Sequence, residues 1–315
     1  MIAQGFNPGG SAEIIRELDN EVSMHSSNSD GSSVLVFSCF QRSSMSYKKN
    51  THTKKGVVLT AFGSSTEQGQ NALHNIHARI QEEFPDIPMY WGYTSAAIRR
   101  KSISQGKEIH SLPTAISKSM DEEVTHLAVQ PLHIIPGYEF EDVQRTVSAF
   151  RHIPKGFTEI SLSPPLLYSQ SSLHRVGNAL LQMLPSERTK DEAILFLGHG
   201  SNHPANSFYP ALAHWLQQQD PMLFVGTVEH WPDKDTVRSQ LLDSGANKVY
   251  LIPLLTVAGI HAHKDIAGQD PESWQSTLQR DGFECVPVLK GLAEYDTFID
   301  LWLEQLNLAL QALQT

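Results

Sequence analysis

From Lys55 onward the chain alternates short, almost wholly apolar runs with longer stretches in which apolar residues return every three or four positions. A short run that is apolar at every position marks a strand covered on both faces, whereas the longer spacing marks a helix with one buried stripe. The runs Gly56–Phe62, Met89–Tyr93, His126–Gln130 and Glu159–Leu162 predict strands, with helices over about 66–84, 95–105, 112–123, 139–151 and 170–184. A second series has strands at Ala193–Leu197, Met222–Val225, Lys248–Ile252 and Val286–Leu289, with helices near 205–218, 233–244, 271–281 and 294–313. Strands that alternate with helices build parallel sheets with crossover connections, so the predicted fold class is α/β.

The two series match in detail. Phe62-Gly-Ser-Ser65 aligns with His199-Gly-Ser-Asn202, and Gly92-Tyr-Thr-Ser95 with Gly226-Thr-Val-Glu229, each at the end of a predicted strand. Pro131-Leu132 followed by Gly137-Tyr-Glu139 aligns with Pro253-Leu254 followed by Gly259-Ile-His261. This predicts an internal duplication: two similar lobes, each a parallel sheet flanked by helices, over residues 55–185 and 186–315, with a cleft between them. Ligands of open α/β sheets bind beyond the carboxyl ends of the strands, and all three matched segments lie there.

Residues 1–54 break the pattern. They are rich in Ser, Asn and Gly, and their one apolar patch, Val34–Phe37, is shorter than a secretory signal core and has no basic residues just before it. The expectation for 1–54 is a disordered tail or a mis-called start, Met45 being an alternative, and for the protein a cytoplasmic location. No apolar run is long enough for a membrane helix. A net charge of −10 disfavours nucleic acid or an anionic membrane as partner. The two cysteines, Cys39 and Cys285, are too far apart in sequence for a CxxC motif, which excludes a cysteine metal cluster and a disulfide framework.

What separates the halves is chemistry. The second lobe carries His199, Glu229 and His261 where the first carries Phe62, Ser95 and Glu139. Two imidazoles and a carboxylate suit Co²⁺, Fe²⁺, Ni²⁺ or Zn²⁺, and three protein ligands leave positions open for substrate. With fifteen histidines in the chain, alternatives stand beside these. His263 is the chief rival to His261, and His203, His230 and His133 are weaker ones. His133, in a strand-end loop, is expected to face the cleft and contact substrate.

The segments Val129-Gln-Pro-Leu-His-Ile-Ile135, Leu197-Gly-His-Gly200 with Asn206 close behind, Val225-Gly-Thr-Val-Glu229 and Leu251–His261 resemble the class II tetrapyrrole chelatases. The likeness is nearest to the anaerobic-type sirohydrochlorin cobalt chelatases of cobalamin biosynthesis, and it runs from about Lys55 to the last residue. It implies a two-lobed chelatase fold with the tetrapyrrole in the cleft. It also implies that the metal is held by His199, Glu229 and His261, which take part in catalysis as well. The metal is then a substrate, Co²⁺ or alternatively Fe²⁺ or Ni²⁺, and no permanently bound cofactor is expected. The sequence departs from the pattern at Ile260, where an acidic residue is expected, and it adds His263.

Insertion requires two pyrrole protons to leave as the metal arrives, so one of these histidines or Glu229 must also act as base. A polycarboxylate substrate calls for cations and backbone N–H donors, for which Lys264, Arg99, Arg100 and the Ser64 loop are candidates. Phe62, Tyr93 and Tyr138 offer flat apolar contacts. The alternatives are an iron chelatase making sirohaem and a non-enzymatic haem or metal carrier. The duplication lets one chain build a whole cleft, and assembly into a homo-oligomer is compatible with it.

Overall fold

In the computed structural model the described residues are 53–260 and 262–313. Two four-stranded sheets, all parallel, carry the fold. The first is built from β1 (Lys55–Ala61), β2 (Met89–Tyr93), β3 (His126–Pro131) and β4 (Glu159–Leu162), in the order β2-β1-β3-β4. The second uses β5 (Ala193–Gly198), β6 (Leu223–Thr227), β7 (Lys248–Pro253) and β8 (Glu284–Pro287), in the order β6-β5-β7-β8. The same topology occurs twice, as the duplication predicts. β1 and β5 are central and buried along nearly their whole length, which is why both read as continuous apolar runs.

The helices are α1 (Glu67–Glu83), α2 (Ala96–Ser104), α3 (Leu112–Asp121), α4 (Tyr138–Phe150), α5 (Gln170–Gln182), α6 (Phe208–Gln219), α7 (Lys234–Ser244), α8 (Trp274–Arg280) and α9 (Asp296–Ala312). Most start at a polar cap. Thr66, Ser95, Ser111 and Asp233 each accept a hydrogen bond from a first-turn N–H, satisfying donors that the helix itself leaves open. In α1 the buried residues Ala72, Leu73, Ile76 and Ile80 fall on one stripe, so its amphipathic spacing becomes a packed face.

Two outcomes differ from the pattern. β8 lies two residues earlier than Val286–Leu289, because Glu284 to Pro287 pair in parallel with Lys248 to Leu251. The apolar residues beyond it are used for packing instead: Val288 lies against the core shared by the lobes. The second concerns α9, the last helix, which packs on β3 and β4 of the first sheet. Trp302 and Leu306 of α9 and Phe196 of β5 consequently belong to the same core as Leu59 and Ile76. Separate clusters cover the outer faces of the two sheets. Residues 1–52, including Cys39, and His261 lie outside the described residues. Lys54 extends β1 by pairing with Thr125 and His126. Among the described residues no helix is long and apolar enough to cross a membrane.

Candidate functional site

Strand pairing supplies a common coordinate system for the two lobes. Thr60 of β1 sits beside Gly92 and Pro131, as Leu197 of β5 sits beside Gly226 and Pro253. Counting forward from these anchors puts His199 where Phe62 stands and Glu229 where Ser95 stands. The hydrogen bonds agree: the Ser95 N–H donates to the Phe62 carbonyl at 3.3 Å and the Glu229 N–H to the His199 carbonyl at 2.8 Å. The structure therefore brings His199 and Glu229 together at one strand-end step.

The turn that does so depends on glycine. Gly200 has φ +86°, and Gly63, its counterpart, φ +101°, conformations that other residues adopt at a cost. A Cβ on Gly200 would also lie 1.6 Å from the Glu229 carbonyl oxygen, so the two loops touch backbone to backbone. Beneath the turn Tyr209 of α6 is buried, its ring filling the space left by the missing side chain of Gly198. Burial pushes its phenol up to about 12, against the pull of hydrogen bonds from the Gly200 and His199 backbone N–H groups. Tyr209 thus packs directly against the backbone that leads into the histidine-bearing turn.

The His199 ring is half-buried, with Nδ1 3.1 Å from the Gly200 carbonyl. When Nδ1 donates there, Nε2 carries the lone pair, the tautomer suited to a metal. Glu229 is exposed, in a loop closed by Thr227, whose hydroxyl donates to His230 at 2.9 Å and whose N–H donates to Pro232 at 2.9 Å. Compared with the first lobe, where Ser95 itself caps α2, this loop has four more residues before its cap, Asp233, and they include Trp231. Among the described residues no group of three His, Cys, Asp or Glu side chains is placed to hold a metal. His261, the third candidate, lies outside them, while Ala262–Ile266 forms a single π-helical turn.

The remaining candidates separate by what they already bond. Ser64 is buried, its hydroxyl 3.0 Å from that of Thr66 at the start of α1, so it serves that turn. Nη1 of Arg99 donates to the carbonyls of Tyr93 and Thr94, tying that cation to the end of β2. Tyr93 stacks on Trp91 at 5.5 Å, and burial raises its phenol to about 12. Lys264, His263, His230 and Arg100 are exposed. His203 is committed at both ring nitrogens, Nδ1 accepting from the Ala205 N–H at 3.0 Å and Nε2 lying 3.0 Å from Glu141. His133 differs from all of these. Both its ring nitrogens are sealed from solvent without a hydrogen-bond partner, and burial lowers its pKa to about 4.

Around these residues lies a rim of exposed apolar side chains: Phe62, Tyr138, Tyr168, Trp231 and Ile260, each between 46% and 53% accessible. All five follow the carboxyl end of a strand. Flat, apolar surface gathered at one end of both sheets is what a macrocycle needs. Sequence pattern singled out Phe62 and Tyr138 but passed over Trp231, Tyr168 and Tyr209, since an isolated aromatic in a loop carries no periodicity to mark it.

The chain is similar to known proteins over most of its length. Residues 55–311 match the family described as cobalt chelatase (CbiK). A sirohydrochlorin cobaltochelatase of Nitratidesulfovibrio vulgaris is 44% identical over 261 residues, 83% of this chain and 92% of that protein. The sirohydrochlorin cobaltochelatase of Salmonella typhimurium is 32% identical over 259 residues, 82% of this chain and 97% of that one. Among solved structures, the sirohydrochlorin chelatase SirB from Bacillus subtilis subspecies spizizenii in complex with cobalt aligns over 82% of this chain and 96% of its own, with TM-score 0.54 and 14% identity. That last likeness bears on the fold alone.

Proposed function

The chain belongs to the cobalt chelatase (CbiK) family, and on that footing we propose that it inserts Co²⁺ into sirohydrochlorin in the cytoplasm, in cobalamin biosynthesis. The cleft lies between the lobes 55–185 and 186–315, and the second lobe presents the metal through His199, Glu229 and His261. The observation that carries this assignment is an asymmetry at equivalent strand ends. His199 and Glu229 share one hydrogen-bonded step where the first lobe has Phe62 and Ser95, which bind no metal.

The reaction replaces two pyrrole protons by one divalent ion, so two protons leave the macrocycle and the complex carries two fewer charges than free metal plus ligand. His199 holds the ion through Nε2 and the carboxylate of Glu229 lowers its charge. As the ion moves to the ring, the released imidazole and carboxylate groups would take up the two protons and pass them to solvent. The first-lobe surface at Phe62 and Tyr138 holds the macrocycle against the second lobe. His133 stays neutral in its buried place.

Anaerobic spectrophotometry with sirohydrochlorin and Co²⁺ tests this. Wild type accelerates the metal-dependent spectral change over the uncatalysed reaction, and His199→Ala, Glu229→Ala and His261→Ala reduce it by about 100-fold or more. A faster reaction with Fe²⁺ than with Co²⁺ would reassign the metal. Wild-type protein that binds the tetrapyrrole without turning it over would make it a carrier.

A further inference from the structure

Several hydrogen bonds cross from lobe to lobe, among them Thr256 to the Leu132 carbonyl and Gln68 to the Leu289 carbonyl, and one chain of them reaches both candidate ligand loops. It begins on α4 of the first lobe, where Arg145 holds Glu141 at 2.9 Å and Glu141 meets His203 at 3.0 Å. Tyr138, also on α4, packs edge-on against the His203 ring, with centroids 4.8 Å apart. From His203 the chain passes by its N–H to the Ser201 hydroxyl at 3.0 Å, then from the Ser201 N–H to Asn206 at 2.9 Å, and from the Asn206 amide to the Trp231 carbonyl. Ser201 is two residues from His199, and Trp231 is two residues from Glu229. One network thus references both candidate ligand loops to a helix on the opposite side of the cleft.

The tautomer of His203 is fixed by its partners. Nδ1 accepts the Ala205 N–H, so the proton is on Nε2, which donates to the Glu141 carboxylate. The duplication supplies an internal contrast. Counting from the matched strands, the first-lobe counterpart of His203 is Thr66, whose hydroxyl accepts from Gly69 as a helix cap and bonds Ser64 of its own lobe. The capping half of the role occurs in both lobes, and the cross-lobe bond is the addition at His203.

We propose that His203 is a positioning residue that sets the gap between the lobes at the metal-bearing end of the cleft, through its Nε2–H bond to Glu141. This inference rests on the chelatase reading above. The bond holds Tyr138 of the first lobe and the Trp231 loop of the second at a fixed separation, and therefore holds the macrocycle at a fixed distance from His199 and Glu229. Losing it lets that distance vary, which lowers the rate of transfer more than the binding of metal.

Two substitutions divide the roles of the imidazole. In His203→Asn the amide oxygen reaches the Nδ1 position and keeps the cap, but nothing reaches Glu141. In His203→Gln the amide nitrogen reaches the Nε2 position and keeps the cross-lobe donor. The experiment measures kcat, KM for Co²⁺ and melting temperature for wild type, both variants, Glu141→Ala and the double variant Glu141→Ala/His203→Asn. We expect His203→Gln to stay within about threefold of wild-type kcat, and His203→Asn and Glu141→Ala each to lose about tenfold with KM for Co²⁺ unchanged. The double variant should lose no more than either single one. Losses that add in the double variant, a His203→Gln enzyme as slow as His203→Asn, or an unimpaired Glu141→Ala would each overturn the proposal. An inactive wild type would instead strike the chelatase reading, while non-additive melting temperatures would still report the bond.

Discussion

Replacing Gly200 with alanine would put a methyl carbon where the Glu229 carbonyl now lies, 1.6 Å from its oxygen. Carbon and oxygen approach to about 3.3 Å at best, so the Glu229 loop must retreat by roughly 1.7 Å. That retreat breaks the 2.8 Å bond from the Glu229 N–H to His199. The lost bond costs about 1 kcal/mol and the left-handed backbone at Gly200 about another 1–2 kcal/mol, giving about 2–3 kcal/mol before any repacking. Gly245→Ala isolates the backbone part: Gly245 has φ +74° and nothing within 4 Å of its missing Cβ, so it should lose only about 1–2 kcal/mol. At about 3 °C per kcal/mol, the melting temperature falls by roughly 6–9 °C for Gly200→Ala and about 3–6 °C for Gly245→Ala. Turnover separates them further, because a shift of this size between the proposed metal residues costs about 100-fold in kcat/KM, whereas Gly245 only ends α7. Turnover of Gly200→Ala within threefold of Gly245→Ala would refute a steric displacement of the Glu229 loop.

Tyr209→Phe removes a buried hydroxyl that the His199 and Gly200 backbone N–H groups influence. It should destabilise by about 1–3 kcal/mol in urea titrations and lower kcat about tenfold. His133 contributes an acid sensitivity whose sign follows from its depressed pKa. The folded form resists protonation until about pH 4, whereas the unfolded ring titrates near pH 6.5, so stability is complete above pH 6.5 and falls as pH drops toward 4. Between pH 7 and pH 5 the loss is about 2 kcal/mol, and His133→Leu, which copies Leu255 of the second lobe, should abolish that component in urea unfolding. Trp231→Ala should raise KM for sirohydrochlorin about tenfold with little change in melting temperature, because the indole is half exposed. Trp302→Ala, in the shared core, should instead cost about 3–5 kcal/mol, visible as a lower urea midpoint.

The sheets were legible because a parallel strand buried on both faces leaves an uninterrupted apolar signature, as in Val57–Leu59 and Ala193–Leu197. The pairing of the two halves was legible for a different reason: a duplicated turn keeps its glycine, and Gly63 and Gly200 both have positive φ. Less could be read where a side chain's partner lies far away in sequence. Nothing near Arg99 says that its guanidinium turns back on Tyr93 and Thr94, or that Ser64 is spent on Thr66. His203 reads as one more spare histidine until Glu141, 62 positions earlier, is set beside it. The strand β8 shifted because ladder register, and not local hydrophobicity, sets where pairing stops. The packing of α9 on the first sheet has no local signature, since an amphipathic stripe does not name the surface it will cover.

That last packing has a consequence for how the protein is made. Lys55 in the first strand donates to the carbonyl of Leu310 in the last helix, across 255 positions. A ribosome delivers β1 to β4 long before α9, so the part of the first sheet that α9 covers, over β3 and β4, waits for its partner while the second lobe is synthesised. Duplication has given the chain two copies of a topology without giving it two independent folding units. The gene can be read as a repeat, but the nascent polypeptide has to be completed as a whole.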